Sequence, residues 1–273
     1  MSVAETPSAA PPDLLAALDA RRGRLAGFAG VLQYFETVGS TNDVAARLAA
    51  AGAPQGATVV AEAQQRGRGR VNRDWFSPQG SGLYASVVLR PAPSRDPLSV
   101  AASVTLTAGV AIAEAVRETT GLAVEIKWPN DLLAGGRKLC GILAEAAAGA
   151  GGLEHVVLGF GVNLRAASYP PPLVGRATSI EEELGRAVDG SALLAEALAR
   201  LSERLAELEA GGFDAMLHRW RELSPSSAGA RVEVAVEGRW EPARTAGVDR
   251  DGALLVSRAG TVHRVIAGEI RWL

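Results

Sequence analysis

A long apolar segment constrains the fold of this chain more than any other feature. Residues 98–121, LSVAASVTLTAGVAIAEAVRETTG, follow Asp96-Pro97, which is a favourable helix start, and they end at Gly121, which is a favourable helix stop. We therefore predict one long helix. Because most of its side chains are apolar, this helix belongs inside a domain.

Four β-like runs follow the helix, and a glycine pair lies in each of the last two intervals between them. They read AVEIKW, NDLLA, RKLCGILAEA and HVVLGFGVNL, with Gly135-Gly136 and Gly151-Gly152 between them. Paired glycines suit the tight turns of β-hairpins because they accept positive φ angles. We expect an antiparallel meander over residues 123–164.

Weaker signals complete the main domain. Strands are predicted near residues 31–35, 59–62 and 83–89, and the hydroxyls of Ser40 and Thr41 can cap a helix that stops before residue 52. Five leucines at helical spacing predict a further helix that packs on the sheet: Leu194, Leu198, Leu201, Leu205 and Leu208.

At 273 residues the chain exceeds the usual single-domain length, so a main domain and a smaller one are expected. Residues 1–12 are small, polar and proline-bearing, which predicts a disordered lead. Residues 13–223 form the predicted main domain. Residues 224–273 begin with SPSSAG, which has the composition of a linker, and continue as short β-like runs, which predicts a small β-barrel.

Composition narrows the function classes. A net charge of −2 gives no global reason to bind nucleic acid or an anionic membrane. Cys140 is the only cysteine, and the three histidines lie far apart, so neither an intrachain disulfide nor a structural zinc site is expected. The N-terminus lacks a secretory signal, and we expect no stretch long and apolar enough to span a membrane. We expect a cytoplasmic protein.

An arginine-rich loop stands out in this nearly neutral chain. Residues 64–74 place four arginines around Gly67 and Gly69, namely Arg66, Arg68, Arg70 and Arg73. Glycines let backbone N–H groups face a phosphate, and guanidinium groups bind anions in a bidentate way. The alternatives are a solvated basic loop and a disordered nucleic-acid-binding segment. Trp75, which is followed by FSP and a predicted strand, argues against disorder.

A second cluster lies at the end of a predicted strand, in the sequence KWPND. Asn130 and Asp131 offer an amide and a carboxylate suited to a nucleotide or to magnesium, although PND is also a common turn. Lys138 enters the next apolar run. It either faces a cleft, where it can neutralise charge that develops on a carboxylate or phosphate, or it protects a strand edge.

The run LGFGVNL carries Gly159, Gly161 and Asn163. Two glycines on one side of a strand indicate either a ligand against bare backbone, or a bulge or close packing. Cys140 is interpreted as a small buried residue because no histidine is near it in sequence.

Taken in order, GSTN, AEAQQRGRGR with WFSP, KWPNDLL, RKLCGILAE and GFGVNL resemble the motif series of the biotin protein ligases. The resemblance covers residues 38–164, and the tail GVDRDGALLV with AGEI is similar to the small C-terminal barrel of that family. It implies an α+β catalytic domain like those of class II aminoacyl-tRNA synthetases, with a mixed sheet flanked by helices, and a C-terminal SH3-like β-barrel.

The resemblance also implies a two-step reaction. The carboxylate of biotin attacks the α-phosphate of Mg-ATP to give biotinyl-5′-AMP and diphosphate. A lysine amine of a biotin carboxyl carrier domain then attacks the mixed anhydride to give biotinyl-lysine. Biotin and ATP with Mg²⁺ are the implied substrates, and the carrier domain is the implied protein partner.

Residue roles carry over from the matching positions. Catalytic roles are implied for Lys138, Arg70 and Asp131, with Asp131 also a candidate Mg²⁺ contact. Biotin contacts are implied for Ser40, Thr41, Asn42, Gln64, Gly67, Arg68, Arg70, Lys138, Gly141, Gly159 and Gly161. ATP contacts are implied for Arg68, Arg70, Trp75, Asn130, Asp131, Lys138 and Asn163, and Trp75 is expected beside the adenine.

The chain departs from the family pattern at two places. Val71-Asn72 follow GRGR where a basic or polar residue and a glycine are usual, and Asn72 tolerates positive φ better than most residues. The chain ends Arg271-Trp272-Leu273, whereas a basic residue often ends the family's tail.

Partners and rival functions follow from the same motifs. Only 39 residues precede Ser40, which is too few for a winged helix-turn-helix, so neither repression nor sequence-specific DNA binding is expected. Lipoate or octanoate attachment is the same-fold alternative, and nucleic-acid binding through the arginine loop is the other. A monomer or a homodimer is equally compatible with the sequence.

Overall fold

A computed structural model describes residues 6–71, 73–92, 96–167, 169–236, 238–265 and 270–273. Within these ranges the helices are α1 Pro12–Asp19, α2 Arg22–Leu25, α3 Thr41–Ala50, α4 Pro97–Thr120, α5 Ile180–Leu184, α6 Gly190–Glu209 and α7 Phe213–Leu223. Short 3₁₀ helices cover Pro171–Leu173 and Pro225–Ser227.

The main sheet contains seven of the strands in the described ranges, in the spatial order β1-β2-β3-β7-β6-β5-β4. β1 and β2 are parallel and the other neighbours are antiparallel, so the sheet is mixed. The strands are β1 Leu32–Val38, β2 Thr58–Gln64, β3 Gly82–Leu89, β4 Glu125–Lys127, β5 Asp131–Ala134, β6 Arg137–Gly149 and β7 Gly152–Asn163.

The predicted meander is confirmed. β4 to β7 pair in sequence order, and Gly135 and Gly136 form the β5–β6 turn with φ angles of 54° and 75°. An L-residue with a side chain rarely adopts both angles in succession, which explains the glycine pair.

The long helix is also confirmed and is a core element. Asp96 accepts a hydrogen bond from the backbone N–H of Ser99, and Gly121 ends the helix at a φ of 77°. By length and composition α4 could span a membrane, so the expectation that no segment of this kind exists was wrong. Of its most apolar window, 61% is buried within the protein. Core helices of this kind are common in soluble proteins.

Helices cover both faces of the main sheet. Val60, Val87 and Leu158 belong to one core with α4, whereas their sequence neighbours Val59 and Val88 belong to a second core with α3. Neighbouring strand residues point to opposite faces, so α3 and α4 lie on opposite sides of the sheet. The helix α6 was expected on the sheet but packs mainly on α4, as a second layer.

The prediction of a disordered lead is wrong for its described part. Residues 1–5 lie outside the described ranges, but the N–H of Ser8 donates to the carbonyl of Tyr34 at 2.7 Å. The helix α1 begins at Pro12. This segment therefore continues the hydrogen bonding of the sheet at its β1 edge.

The C-terminal strands form a second, antiparallel sheet in the order β11-β10-β9-β8-β12. Its strands are β8 Ala228–Val236, β9 Arg239–Val248, β10 Leu254–Arg258, β11 Thr261–Val265 and β12 Ile270–Trp272. Bulges interrupt the β8–β9 and β9–β10 ladders, which bends such a sheet. The boundary at residue 224 and the closure of this sheet into a barrel remain predictions, and three residues of the AGEI motif, 267–269, lie outside the described ranges.

Two side-chain contacts join the second sheet to the first. The indole Nε1 of Trp128 donates to the carbonyl of Gly252 at 2.9 Å, and the Lys127 ammonium lies 5.3 Å from the ring centre of Trp272. The KWPND segment therefore connects the two sheets.

Candidate active site

A cleft of about 1000 Å³ gathers nearly all of the residues implied by the motifs. From that set it is lined by Ser40, Thr41, Asn42, Gln64, Arg68, Arg70, Trp75, Asn130, Asp131, Lys138, Gly141, Gly159, Gly161 and Asn163. Gly67 does not line it. A Cβ on Gly67 would lie 2.4 Å from the carbonyl oxygen of Trp75, so this glycine serves the packing of the loop itself.

The position of the cleft follows from strand periodicity. Gly159 and Gly161 alternate with core residues of β7, and they pair with Leu143 and Gly141 of β6. These positions therefore share one face of the sheet, which is the face covered further along by α3. The cleft lies on that face where no helix covers it.

One end of the cleft is a hydrogen-bonded polar wall. Gln64 Oε1 accepts from the backbone N–H of Thr41 at 2.9 Å and lies 3.1 Å from the Thr41 hydroxyl. Gln64 Nε2 donates to Ser77 Oγ at 2.9 Å. The wall joins the start of α3 to the end of β2.

Ser40 occupies the N-cap position of α3 but makes no side-chain capping bond. Ser40 is buried, with 2% of its surface exposed, and its Oγ has no hydrogen-bond partner among the described residues. A buried hydroxyl without a partner costs about 1–3 kcal/mol, so a polar ligand group next to it would be stabilising. The expected capping role is therefore not seen, whereas the hydroxyl is available to a ligand.

Lys138 lies at the centre of the cleft because of a β-bulge. The β5–β6 register shifts between Leu132 and Leu133, so that Leu133 pairs with Lys138 while Asp131 pairs with Gly141. One extra residue in β6 thus places Lys138 on the same face as Gly141. Its Nζ lies 2.7 Å from Asp131 Oδ1 and 5.2 Å from the ring centre of Trp75.

Lys138 does not protect a strand edge. Its backbone N–H donates to the carbonyl of Arg176 at 2.8 Å, and its carbonyl accepts from the N–H of Thr178 at 2.9 Å. The segment around Ala177 therefore pairs with β6 on the side away from β5. This outcome favours the cleft-facing interpretation of the lysine.

Positive charge is concentrated around Lys138. Lys127 and Arg176 also line the cleft, and burial, followed by repulsion from Arg176 and Lys138, lowers the pKa of Lys127 although Asp131 opposes the shift. Burial likewise lowers the pKa of Arg70, against the attraction of Asp131. Burying cations close to one another is unfavourable unless an anion binds among them. The cluster therefore indicates a site for an anion. Arg176 carried no recognisable signal in the sequence.

The arginine loop is an ordered hairpin over its described residues. Gly69 N–H donates to the Arg73 carbonyl at 2.7 Å, and Trp75 N–H donates to the Gly67 carbonyl at 2.8 Å. The disordered nucleic-acid segment is therefore contradicted here. Asn72, which tolerates positive φ, lies outside the described residues, and Val71 has a φ of 55°. A β-branched residue is strained in this region.

The guanidinium of Arg68 forms ion pairs with two carboxylates of the protein. Its guanidinium donates to Asp43 Oδ1 at 2.7 Å and also to Glu145 Oε1. This pairing ties the loop to α3 and β6.

Two side chains lie over the glycines of the cleft. A Cβ on Gly161 would lie 2.2 Å from the indole Nε1 of Trp75, and a Cβ on Gly141 would lie 2.8 Å from the same ring. A Cβ on Gly159 would lie 1.9 Å from Asn42 Oδ1. Of the interpretations of LGFGVNL, close packing is the one seen, because the bare backbone makes room for Trp75 and Asn42.

Asn130 and Asn163 make structural hydrogen bonds at the cleft. Asn130 Nδ2 donates to the carbonyl of Ile142 at 2.7 Å, and Asn163 Nδ2 donates to the carbonyl of Thr178 at 2.9 Å. KWPND forms a turn, and both Asn130 and Asp131 line the cleft. Cys140 is fully buried, and burial raises its pKa, in line with a structural role.

Sequence reasoning missed two polar residues behind the wall. Ser86 is fully buried on β3, with its Oγ 2.8 Å from Thr41 Oγ1 and 2.6 Å from Asn42 Oδ1. Glu145 accepts from Asn42 Nδ2 at 2.8 Å. A serine inside the apolar run LYASVVL was the available signal for Ser86.

Comparison with known proteins places this chain in a family. The model of the biotin/lipoate A/B protein ligase family matches residues 34–163. The biotin–[acetyl-CoA-carboxylase] ligase of Paracoccus denitrificans is 34% identical over 243 residues, which are 85% of this chain and 96% of that protein. The bifunctional ligase/repressor BirA of Bacillus subtilis is 30% identical over 241 residues, covering 88% of this chain and 73% of that protein.

A solved structure agrees with these relatives. The biotin protein ligase from Aquifex aeolicus in complex with biotin and ATP superposes with a TM-score of 0.76 at 27% identity, covering 89% of this chain and 99% of that one. The α+β fold with a mixed sheet and a C-terminal antiparallel sheet is therefore that of a biotin protein ligase. The chain belongs to the biotin/lipoate A/B protein ligase family, and within it to the biotin protein ligases.

Proposed function

We infer that this protein is an ATP-dependent ligase that forms biotinyl-5′-AMP and then transfers biotin to a lysine of a biotin carboxyl carrier domain. The observation that carries this inference is the polar wall at one end of the cleft, where the buried Ser40 hydroxyl has no partner among the described residues and lies next to Thr41 in sequence. A ureido ring offers both N–H donors and a carbonyl acceptor to such a wall. A dithiolane ring or an alkyl chain offers neither.

The cationic part of the cleft fits the nucleotide. Lys138 would neutralise charge on the attacking carboxylate and on the α-phosphate, and Lys127 and Arg176 would face the remaining phosphates. Mg²⁺ would enter as Mg-ATP. The Asp131 carboxylate suits it because Mg²⁺ prefers oxygen ligands, and this side chain lines the cleft.

The arginine loop would retain the reactive intermediate. Arg70 is half-buried at the cleft, and its guanidinium can bind the phosphate of biotinyl-5′-AMP. Trp75 was expected beside the adenine. Because its indole lies over Gly141 and Gly161, we propose that it moves when the bicyclic ring of biotin takes that place.

The choice of carboxylic acid is tested by diphosphate release. We expect the purified protein with Mg-ATP to release diphosphate when given biotin, and to release almost none with lipoate or octanoate at the same concentration. A polar site that loses its hydrogen-bonding partner discriminates by about 10²-fold or more. Release with lipoate but not with biotin would overturn the assignment.

A second prediction concerns Arg70. We expect Arg70→Gly to form biotinyl-5′-AMP but to release it about tenfold faster, because one charge-assisted hydrogen bond to the phosphate is lost. The measurement is biotin transfer to lysines of a bystander protein such as serum albumin. Arg66→Gly is the matched control, because Arg66 is in the same loop but is exposed and does not line the cleft. Equal retention in the two variants would remove this role from Arg70.

We also propose a cytoplasmic location and an absence of sequence-specific DNA binding, from the composition and the motif pattern, and a monomer or a homodimer as the oligomeric state. Salt-dependent affinity of the purified protein for DNA or RNA would favour the rival function, nucleic-acid binding through the arginine loop.

A further inference from the structure

We propose that Glu145 is a positioning residue that sets the direction of a hydrogen-bond chain, so that Thr41 presents only lone pairs to the cleft. The proposal rests on the proposed function, since it explains how the wall would select a ligand N–H donor. The chain runs along the wall through five side chains, Glu145, Asn42, Ser86, Thr41 and Gln64.

Glu145 fixes one end of the chain. A carboxylate can only accept, so the atom of Asn42 that faces Glu145 must be the Nδ2 donor, at 2.8 Å. The amide oxygen of Asn42 then faces Ser86 Oγ at 2.6 Å. Since an amide oxygen can only accept, the single proton of the Ser86 hydroxyl is committed to Asn42.

A backbone carbonyl fixes the other end. Ser77 Oγ donates to the carbonyl of Trp75 at 3.0 Å, so Ser77 must accept from Gln64 Nε2. The Gln64 amide is thereby oriented with Oε1 toward Thr41, where it accepts the backbone N–H. Gln64 Nε2 keeps a second proton that it can donate to a ligand.

Thr41 lies between these two fixed ends. Its Oγ1 is 2.8 Å from Ser86 Oγ and 3.1 Å from Gln64 Oε1. Ser86 has already committed its proton and Gln64 Oε1 has none, so the Thr41 proton must point into the wall toward one of them. The Thr41 oxygen therefore offers only acceptor capacity to the cleft, beside the donor of Gln64. The Thr41 oxygen can accept from a ureido N–H, and Gln64 Nε2 can donate to the ureido carbonyl.

Glu145 is the residue on which this order depends. If residue 145 were neutral and able to donate, the Asn42 amide could turn over and donate to Ser86. Ser86 would then donate to Thr41, whose own proton could point to the cleft. Glu145 also pairs with Arg68, so the test must separate the two roles.

The test measures biotin affinity without ATP, by calorimetry, in variants of nearly unchanged shape. We expect Glu145→Gln to bind biotin about tenfold more weakly, the scale of one hydrogen bond of about 1.4 kcal/mol. Asp43→Asn is the matched control, because it removes the other carboxylate partner of Arg68 and leaves Asn42 untouched. Its affinity should stay within about threefold of the wild type.

The rescue variant is Asn42→Asp combined with Glu145→Gln. The carboxylate then stands at position 42, accepts from the new glutamine and again takes the proton of Ser86. Affinity should return to within about threefold of the wild type, a recovery that a purely structural loss at Glu145 would not show. An unchanged affinity in Glu145→Gln, or a double variant no better than that single variant, would overturn the proposal.

A measurement without ligand separates this proposal from the proposed function. Ser86→Ala and Glu145→Gln both release Asn42, so their losses of unfolding free energy should be less than additive, whereas Ser86→Ala and Asp43→Asn should add. Additivity in the first pair overturns the hydrogen-bond order. If the wild type binds no biotin while the first pair remains coupled, the proposed function fails and the order stands.

Discussion

Replacing Lys138 by alanine should lower the rate of biotin-dependent diphosphate release by about 10²–10³-fold, the typical loss when one preorganised charge donor is removed from a reaction centre. The lysine ammonium is the cation that the β6 bulge places beside Asp131 and Gly141. Without it, Asp131 would also repel the phosphates.

The matched control for Lys138 is its neighbour. Arg137→Ala removes a cation one residue away, but Arg137 donates to Glu182 and Glu183 and does not line the cleft. Diphosphate release in Arg137→Ala should stay within a few-fold of the wild type. A loss of less than tenfold in Lys138→Ala, with biotin binding unchanged, would show that the ammonium is not needed for the adenylation step.

The second large effect is expected at Gly159. A Cβ at this position would lie 1.9 Å from Asn42 Oδ1, so Gly159→Ala must displace the Asn42 side chain from Ser86 and Glu145. Asn42 would lose two hydrogen bonds of about 0.5–1.5 kcal/mol each, and the wall that they hold in place should then bind biotin about 10–100-fold more weakly. The measurement is biotin affinity by calorimetry, together with the melting temperature to confirm folding.

Gly151→Ala provides the control at the opposite end of the same hairpin. A Cβ there meets nothing within 4 Å, and the backbone is not in the left-handed region. Its biotin affinity should equal that of the wild type. If Gly159→Ala bound biotin equally well, the Asn42 side chain would have no part in shaping the wall.

Local signals explain why much of the fold could be predicted. The helix α4 carries its own start at Asp96 and its own stop at Gly121, and Gly135-Gly136 fixes the turn that follows. Each of these features depends on neighbouring residues only. The implied site residues could likewise be grouped from the order of the motifs along the chain, and all of them except Gly67 line one cleft.

Long-range features could not be predicted in this way. Alternation alone would put Lys138 and Gly141 on opposite faces of β6, and only the pairing with β5 reveals the bulge that brings them together. The pairing of Ser8 with Tyr34 and of Ala177 with Lys138 likewise joins segments that are distant in sequence. Ser86 and Glu145 were missed because their importance depends on Asn42, which lies on another element.

The contacts between the two sheets limit which segments can be exchanged between relatives. Ile270, Arg271 and Trp272 of the C-terminal sheet line the same cleft as Lys127, and Trp128 is hydrogen bonded to Gly252. A chimera that joined the first 223 residues to the last strands of a relative would therefore import part of a foreign cleft lining. A compatible exchange of segments between relatives would have to transfer the KWPND segment and the C-terminal strands together. We therefore expect these two distant stretches to be inherited together.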